Sequence, residues 1–354
     1  MEKNIYINSK YTIFQALEQM DREIVKLLIV VDADTKFLSL LSVGDIQRAI
    51  LANKNLEESV LTIVRDTILV GEVSDSRENL KKLILSKRIE FIPIVDENKN
   101  IVDVIFWEDL TSEKRYNNQT LKGVPVVIMA GGTGSRLKPI TNIIPKPLVP
   151  VGEKAMIHII MDKFMSFGCT EFYISISYKG EMIKQHLKEL NLPCTIHYFE
   201  EDKPLGTAGS LSIIREKLSE TFIISNCDIL INQDYEEVLN YHLKSENKLT
   251  ALAALKSFGI PYGVLETKTN GQLTSMQEKP SFNFQVNAGV YFLNNEALNL
   301  IADNEFYNIT DMMEDLLKEN KKVGVFPVSE GSWFDIGEWK EYQRTQEVFK
   351  KINF

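Results

Sequence analysis

The feature that most constrains the fold is an apolar run that leads directly into a glycine-rich loop. Residues 124–129 are apolar and predict a buried strand. The loop that follows contains Gly131, Gly132 and Gly134. Because glycine has no Cβ, the backbone N–H groups of such a loop can approach an anion closely. A strand that ends in this way is typical of an α/β sheet with a ligand at its carboxyl edge.

Two basic side chains lie in the same stretch. Arg136 follows the glycines, and Lys146 stands between two prolines further along. Guanidinium and ammonium groups bind phosphate oxygens through charge-assisted hydrogen bonds. The P-loop pattern lacks its Gly-Lys-Ser/Thr here, and the third glycine of a dinucleotide fingerprint would fall at Leu137, so both patterns are excluded. We therefore predict a polyphosphate site of another type; the alternative is a tight turn with incidental charges.

Predicted strands and helices alternate beyond this loop. Strands are expected at 125–130, 171–177, 194–199, 221–226 and 249–255, and helices at 156–167, 179–190, 207–218 and 234–245. Alternation of this kind predicts an α/β domain with a doubly wound, mostly parallel sheet and helices on both of its faces.

The full pattern, G-G-x-G-x-R-L-x-P-x-T followed by P-K-P, resembles the signature of the sugar-1-phosphate nucleotidylyltransferases, and every fixed position is present. The resemblance implies transfer of a nucleotidyl group from an NTP to a sugar 1-phosphate, with release of pyrophosphate. It implies that Ala130 and the three glycines hold the nucleotide. It also implies that Arg136 stabilises charge on the pyrophosphate and that Lys146 holds a phosphate.

Two aspartates are candidates for a metal site. Asp228 follows the apolar strand 221–226, and a carboxylate buried at a strand end is costly unless something compensates its charge, most simply a metal ion. Asp335 lies in the segment Trp-Phe-Asp-Ile-Gly. In the resembling family, aspartates in these two contexts hold Mg²⁺. The alternatives are a helix N-cap at Asp228 and a turn at Asp335.

Other short motifs match the substrate pockets of the family. The resemblance implies that the turn Gly206, Thr207 and Ala208, which opens a predicted helix, holds the nucleobase and presents backbone N–H groups to it. Ordinary turns are the alternative for these motifs taken singly. The residues assigned to the sugar and its phosphate are Gly263, Glu278, Lys279 and Asn287, of which Lys279 meets the attacking phosphate. For the adjacent Glu278 and Lys279, the alternative is a solvated charge pair.

An internal repeat occupies the first third of the chain. Residues 29–32 recur at 93–96, and residues 44–46 recur at 108–110, in both cases 64 positions further on. Neither unit could bury its apolar strands alone, so we expect the two to pack together. The repeat resembles a pair of CBS motifs. This implies an α+β domain over 1–115 with units at about 1–64 and 65–115, then a linker at 116–123 and a catalytic domain at 124–354.

CBS pairs often bind adenosine-type nucleotides through a Ser or Thr that precedes an Asp by three positions. Ser42 and Asp45 have this spacing, whereas the second unit retains Asp109 but has Phe106 in place of the hydroxyl. An adenine or guanine nucleotide at these residues is one interpretation. The favoured interpretation is a structural or dimerising module in which Ser42 and Asp45 cap the following helix.

Composition excludes several classes of protein. The net charge of −9 argues against a broad nucleic-acid-binding face. Three cysteines without C-x-x-C spacing argue against a zinc site and a disulfide framework. The N-terminus begins no signal peptide, and no apolar run approaches the length that spans a membrane. We therefore expect a cytoplasmic enzyme, and we expect it to be a homo-oligomer.

The nucleobase and the sugar are predicted from domain architecture alone. A CBS pair ahead of such a domain resembles the guanylyltransferases that make GDP-activated glucosamine, with mannose-1-phosphate guanylyltransferases as near relatives. This favours GTP and glucosamine 1-phosphate. Mannose 1-phosphate, and uridylyl, thymidylyl or cytidylyl transfer, are alternatives. A nucleotide-sensing regulatory protein is the alternative from another class.

Overall fold

The computed structural model describes residues 4–23, 25–65, 68–73, 75–76, 79–80, 83, 91–106 and 119–349. The chain divides into two compact units, of which the first comprises residues 1–115 and 329–331 and the second comprises residues 116–328 and 332–354. Part of the predicted linker lies within the second unit. Leu121 is fully buried there, and its N–H donates to the carbonyl of Phe167 at 2.9 Å. Residues 116–118 of that linker lie outside the described residues.

The first unit contains two three-stranded sheets of the same design. In the first sheet, β1 runs parallel to β2, and β2 runs antiparallel to β3. In the second sheet, β4 runs parallel to β5, and β5 runs antiparallel to β6. The elements are β1 (Tyr6–Asn8), α1 (Ile13–Glu23), β2 (Leu27–Val31), β3 (Phe37–Ser42), α2 (Val43–Leu51), β4 (Gly71–Glu72), β5 (Phe91–Val95) and β6 (Ile101–Phe106).

The two sheets correspond residue by residue at the spacing of the sequence repeat. The register shifts between Val30 and Val31 in the first sheet and between Ile94 and Val95 in the second, 64 positions further on. Thr35 and Lys99 have φ values of 60° and 62° in the corresponding turns. The two halves also meet, because the N–H of Phe37 donates to the carbonyl of Lys99 at 2.9 Å. The repeat predicted from the sequence is therefore a repeat of backbone structure.

The second unit is built on a seven-stranded sheet with the order β11-β10-β7-β12-β17-β14-β18. The first four strands in this order are parallel neighbours, whereas β17 runs antiparallel to both β12 and β14. The predicted α/β class with a mostly parallel sheet is confirmed, and the sheet is mixed. Its strands are β7 (Val126–Met129), β10 (Glu171–Ile176), β11 (Thr195–Glu200), β12 (Thr221–Asn226), β14 (Leu249–Gly259), β17 (Ser281–Asn294) and β18 (Val323–Ser329).

Smaller strand pairs accompany this sheet. They are β8 (Pro150–Val151) with β9 (Lys154–Ala155), β13 (Ile229–Ile231) with β19 (Trp333–Asp335), and β15 (Val264–Thr267) with β16 (Leu273–Gln277). We call residues 256–287, which include the β15–β16 hairpin and the adjoining ends of β14 and β17, the arm. The arm carries several exposed large apolar side chains, including Phe258, Tyr262 and Met276.

Helices cover both faces of the large sheet, as predicted. Val126 and Ile128 of β7 face one core with the helices at 156–165, 180–190 and 235–244, whereas Val127 faces the other core with the helices at 206–209 and 309–318. The predicted helix at 207–218 is α-helical only in its first turn and continues as a 3-10 helix over Ser210–Lys217, because serine and glycine are weak helix formers. The helices are α3 (Met156–Met165), α4 (Gly180–Leu190), α5 (Gly206–Gly209), α6 (Tyr235–Lys244), α7 (Ile309–Lys318) and α8 (Trp339–Phe349).

In the part of the chain that the structure describes, no helix is long and apolar enough to cross a bilayer.

Candidate active site

A cavity of about 490 Å³ lies at the carboxyl ends of the parallel strands. Parallel strands present these ends at the same edge of the sheet, so loops that are remote in the sequence meet there. The loops after β7, β11 and β12 contribute Gly131, Glu201 and Asp228 to the lining, and Ser175 comes from the end of β10. The cavity therefore occupies the place that the glycine-rich loop predicted.

The glycine-rich loop is held tightly at Gly134 and open at Gly132. Gly134 has a φ of +65°, and a Cβ there would lie 2.8 Å from Cγ2 of Thr141 and 2.9 Å from Cβ of Lys146. The Thr141 hydroxyl also donates to the carbonyl of Gly134 at 2.9 Å. A Cβ on Gly132, in contrast, would meet nothing within 4 Å. The backbone at Gly132 is therefore accessible from the cavity, while Gly134 fixes the loop against Lys146.

Ala130 does not line this cavity with its neighbours. It is fully buried, and its N–H donates to the carbonyl of Ser175 at 3.1 Å, which extends the pairing of β7 with β10. Its N–H is therefore engaged within the sheet, whereas Gly131, Gly132 and Gly134 all line the cavity.

The two predicted metal ligands lie side by side. Strands β13 and β19 are antiparallel and pair Ile229 with Asp335, and the N–H of Ile336 donates to the carbonyl of Asp228 at 2.9 Å. A Cβ on Gly337 would lie 2.8 Å from Oδ1 of Asp335, 3.0 Å from Oδ2 of Asp228 and 3.4 Å from Nη2 of Arg136. Two carboxylates and a guanidinium thus surround one point, where a Cβ would require the carboxylate of Asp335 to shift.

The charged groups at this point already have partners in the protein. Lys146 forms an ion pair with Oδ2 of Asp228, and both side chains are largely buried. Arg136 is more exposed and pairs with Glu338 at 3.3 Å. Burial raises the pKa of Asp335, and the nearby charge of Asp228 raises it further, while a hydrogen bond from the N–H of Gly337 opposes the change. A cation placed here would relieve the repulsion between the two carboxylates.

Cys227 lines the cavity beside Asp228, but its thiol is not in the reactive thiolate form. Burial raises the pKa of the Cys227 thiol to about 12, and the charge of Asp228 acts in the same direction. The thiol is therefore neutral at neutral pH, whereas the thiolate is the form that attacks electrophiles and binds metals.

The segment predicted to hold the nucleobase is only partly available to a ligand. Gly206 and Thr207 line the cavity. The N–H groups of Ala208 and Gly209 both donate to the carbonyl of Tyr307, at 3.0 and 2.9 Å, and Ala208 is fully buried. The expectation that the N–H of Ala208 faces the ligand is therefore wrong, because a backbone carbonyl of the protein already occupies it.

The residues assigned to the sugar lie on the arm and outside the lining of this cavity. Glu278, Lys279 and Asn287 are exposed. Gly263 and Glu278 are neighbours, because a Cβ on Gly263 would lie 3.1 Å from Oε2 of Glu278. The structure therefore brings these two residues together, but it does not place the sugar residues among the groups that surround Gly337.

Sequence reasoning missed Glu201. Oε1 of Glu201 accepts a hydrogen bond from the hydroxyl of Ser175 at 3.0 Å, and Oε2 accepts one from the N–H of Leu205 at 2.9 Å. Its carboxylate is thus held in a fixed orientation at the cavity wall. The signal was available, because Glu201 directly follows a strand, as Asp228 nearly does.

In the first unit, Ser42 and Asp45 form a capping box at the start of α2. The hydroxyl of Ser42 donates to Oδ2 of Asp45 at 2.6 Å, and Nε of Arg65 donates to Oδ1 at 2.7 Å. Burial alone would raise the pKa of Asp45, but the hydrogen bonds from Arg65 and Ser42 outweigh it and lower this pKa. The geometry thus agrees with the capping interpretation. Asp109 lies outside the described residues.

Comparison with known proteins finds a family match within each of the two units. A model of the nucleotidyl transferase family matches residues 125–351, and a CBS domain model matches residues 1–52. The mannose-1-phosphate guanyltransferase of Debaryomyces hansenii is 31% identical over a match that covers 61% of this chain and 62% of the relative. That of Saccharomyces cerevisiae is 30% identical with the same coverage. The chain thus spans about 62% of the length of these relatives.

Solved structures lead to the same fold. The crystal structure of HddC from Yersinia pseudotuberculosis is 26% identical, with a TM-score of 0.51 over 64% of this chain and 99% of that chain. Because the family model extends over more than half of the residues, the chain belongs to the nucleotidyl transferase family.

Proposed function

We propose that this protein is a sugar-1-phosphate nucleotidylyltransferase, which transfers a nucleotidyl group from an NTP to a sugar 1-phosphate and releases pyrophosphate. The observation that carries the proposal is the convergence of Asp228, Asp335 and Arg136 around Gly337, beside the glycine-rich loop. The relatives named as mannose-1-phosphate guanyltransferases support the same reaction class.

The chain's own residues have defined parts in this reaction. An oxygen of the sugar phosphate attacks the α-phosphorus of the NTP, and the bond from that phosphorus to the bridging oxygen of the pyrophosphate breaks. Such transfers depend on positioning and on neutralisation of charge rather than on proton transfer. Arg136 stabilises the charge on the leaving pyrophosphate, Lys146 holds the α-phosphate, and Lys279 meets the sugar phosphate. The open backbone at Gly132 admits the phosphate chain.

Mg²⁺ is the cofactor that we propose for this site. The fit rests on the space at Gly337, where Asp228 and Asp335 present carboxylate oxygens that a Cβ would contact. Hard anionic oxygens are the ligands that Mg²⁺ prefers. In the part of the chain that the structure describes, no three acidic, histidine or cysteine side chains form a metal-binding group, so the two aspartates need phosphate oxygens and water to complete the set. When bound, Mg²⁺ neutralises charge on the phosphates.

The nucleobase that we propose is guanine. Glu201 and Asp202 line the cavity, as do Gly206 and Thr207. A carboxylate beside a triphosphate is unfavourable unless it accepts hydrogen bonds. Guanine presents two adjacent donors, N1–H and the exocyclic amino group, on one edge, whereas uracil and thymine present a single N–H between two carbonyl oxygens. Because Glu201 is held in a fixed orientation by Ser175 and Leu205, it is suited to select that donor pair.

Two sugar 1-phosphates are candidates for the second substrate. The domain architecture favours glucosamine 1-phosphate, and the names of the relatives favour mannose 1-phosphate. A nucleotide-sensing regulatory protein is the competing function, but it has no need for Arg136 and both aspartates around one point. We further propose a cytoplasmic homo-oligomer, and nucleotide binding at the first unit stays a prediction.

A matrix of five NTPs against hexose and hexosamine 1-phosphates, followed by release of pyrophosphate, tests the function. We expect activity with GTP, dependence on Mg²⁺, and a preference for one of the two named sugars. Activity only with another NTP would contradict the choice of guanine, and binding of GTP without pyrophosphate release would favour the regulatory protein. Glu201→Gln should reduce the preference for GTP over UTP by about tenfold or more, since a good hydrogen-bonded pair is worth about 1–3 kcal/mol.

A further inference from the structure

Helix α8 forms hydrogen bonds with the loop that carries Arg136 and Lys146, the proposed phosphate-binding cations. We call residues 136–152 the cation loop, because Arg136 opens it and Lys146 lies within it. Helix α8 follows Gly337 closely. Its residues Trp339, Tyr342 and Gln346 have the spacing of a single helix face. No motif recognised in the sequence includes these three side chains.

Each of the three side chains donates a hydrogen bond to the backbone of the cation loop. Nε1 of Trp339 donates to the carbonyl of Lys138 at 2.9 Å. The hydroxyl of Tyr342 and Nε2 of Gln346 both donate to the carbonyl of Pro150, at 2.9 and 2.7 Å. Oε1 of Gln346 also accepts from the N–H of Gly152 at 3.1 Å. The helix thus holds the cation loop near both of its ends.

The same helix is joined directly to the carboxylate side of the site. Asp335 and Gly337 immediately precede it, and Glu338 pairs with Arg136 at 3.3 Å. Arginine and lysine have long, flexible side chains, so the places of their charged ends depend on where the backbone is held. Helix α8 therefore connects the strand that carries Asp335 with the backbone that carries both cations.

We propose that Trp339, Tyr342 and Gln346 are positioning residues that hold Arg136 and Lys146 in register with Asp335. This inference rests on the proposed nucleotidyl transfer. The three residues line no part of the cavity and act through the cation loop. Their loss should therefore lower kcat, because the cations stabilise charge that develops on the phosphates, and should leave KM for the sugar 1-phosphate nearly unchanged.

The test compares two glutamine variants on the same helix. Gln346→Leu removes the contacts with Pro150 and Gly152, whereas Gln343→Leu makes the same change at an exposed position. We expect kcat to fall about tenfold in Gln346→Leu, as for loss of hydrogen bonds that orient a catalytic group, and to change less than about twofold in Gln343→Leu. Trp339→Phe, which keeps an aromatic ring, should resemble Gln346→Leu. Equal kcat in all three variants would overturn the inference.

A double-mutant cycle separates positioning from general destabilisation. If Trp339 acts through Arg136, Trp339→Phe should lower kcat about tenfold in the wild type but less than about threefold in the Arg136→Ala background. The same fold-loss in both backgrounds, with a lower melting temperature, would show a merely structural role and overturn the inference. A wild-type protein that releases no pyrophosphate from any NTP and sugar phosphate would instead overturn the proposed function, and this inference with it.

Discussion

The parallel and antiparallel halves of the large sheet present their charged residues in different ways. In the parallel half, Lys146 is paired with Asp228 and both are largely buried. In the antiparallel half, the arm holds Glu278 and Lys279 exposed to solvent. The parallel half therefore has a site that is assembled before any ligand binds. The candidate sugar-binding residues of the arm lie outside the cavity lining. They are expected to become fixed only when the substrate binds.

The two proposed substrates therefore bind to parts of the protein that are preorganised to different degrees. Groups that are fixed in advance cost little reorganisation when charge develops, and they contribute most to the transition state. Exposed side chains lose conformational freedom when they bind, which reduces their contribution to affinity. We therefore expect large effects on turnover in the parallel half and smaller effects on substrate binding in the arm.

The largest effects should come from the charged groups beside the glycine-rich loop. Arg136→Ala and Asp228→Asn should each lower kcat/KM by an amount that corresponds to about 2–4 kcal/mol, as for the loss of one preorganised charge-stabilising group. Steady-state rates of pyrophosphate release measure this. The controls are Arg22→Ala and Asp34→Asn, at exposed positions of the first unit. Near-full turnover in both site variants would remove the distinction between the halves.

A second variant tests the space between the two aspartates. Gly337→Ala places a methyl group within 3.0 Å of oxygens of Asp335 and Asp228, so it should push the carboxylates apart. We expect kcat/KM to fall by up to about a hundredfold, as for a misplacement of about 1 Å at a reacting site, and we expect a higher Mg²⁺ concentration for half-maximal rate. A rate and a Mg²⁺ titration like those of the wild type would contradict the assignment of this point.

Smaller effects of another kind are expected on the arm. Lys279→Ala should raise KM for the sugar 1-phosphate by about tenfold, since loss of one charge-assisted hydrogen bond costs about 1–2 kcal/mol, and should leave KM for the NTP within about twofold. Lys268→Ala, an exposed lysine on the same arm, is the matched control. If the variants at positions 279 and 268 behave alike, the arm does not hold the sugar phosphate.

The smallest effect concerns pH and stability in the antiparallel half. His242 on α6 is buried against Thr250 of β14, at 2.9 Å from its hydroxyl, and burial lowers the pKa of His242 to about 4. The unfolded chain has the ordinary pKa near 6.5, so it binds more protons than the folded protein as the pH falls below that value. The free energy of unfolding should therefore drop by about 1 kcal/mol between pH 7 and pH 5.5 through this residue.

Denaturant unfolding at the two pH values measures that change. The pH dependence should weaken in His242→Asn, whatever that variant loses in packing. It should persist in His197→Asn, which changes an exposed histidine of the parallel half. An unaltered pH dependence in His242→Asn would assign the effect to other groups.

Short sequence patterns predicted the positions of strands and helices in the parallel half of the sheet. Strand β12 has the predicted bounds 221–226, and α4 begins one residue after its predicted start at 179. Such bounds depend on apolar periodicity and on residues a few positions apart, which a single sequence displays directly. The pairing of Asp228 with Asp335, in contrast, was implied by the resemblance to a family and not by periodicity.

Features that depend on partners remote in the sequence were missed. The strand predicted at 249–255 continues to Gly259 because its end pairs with β17, a strand of 14 residues that was not among the predicted strands. The N–H of Ala208 was expected to face a ligand, but Tyr307, far along the chain, supplies a carbonyl to it. Likewise, the contacts of α8 with the cation loop follow from tertiary packing and leave no motif.

The ion pair between Lys146 and Asp228 has a consequence for the order of events at the site. While the two are joined, the lysine is withheld from phosphate and the carboxylate from a cation. A nucleotide that draws Lys146 away frees Asp228, and a divalent ion that takes Asp228 frees Lys146. By thermodynamic linkage, each of these ligands then raises the affinity of the site for the other. The nucleotide and the divalent ion are therefore expected to bind cooperatively.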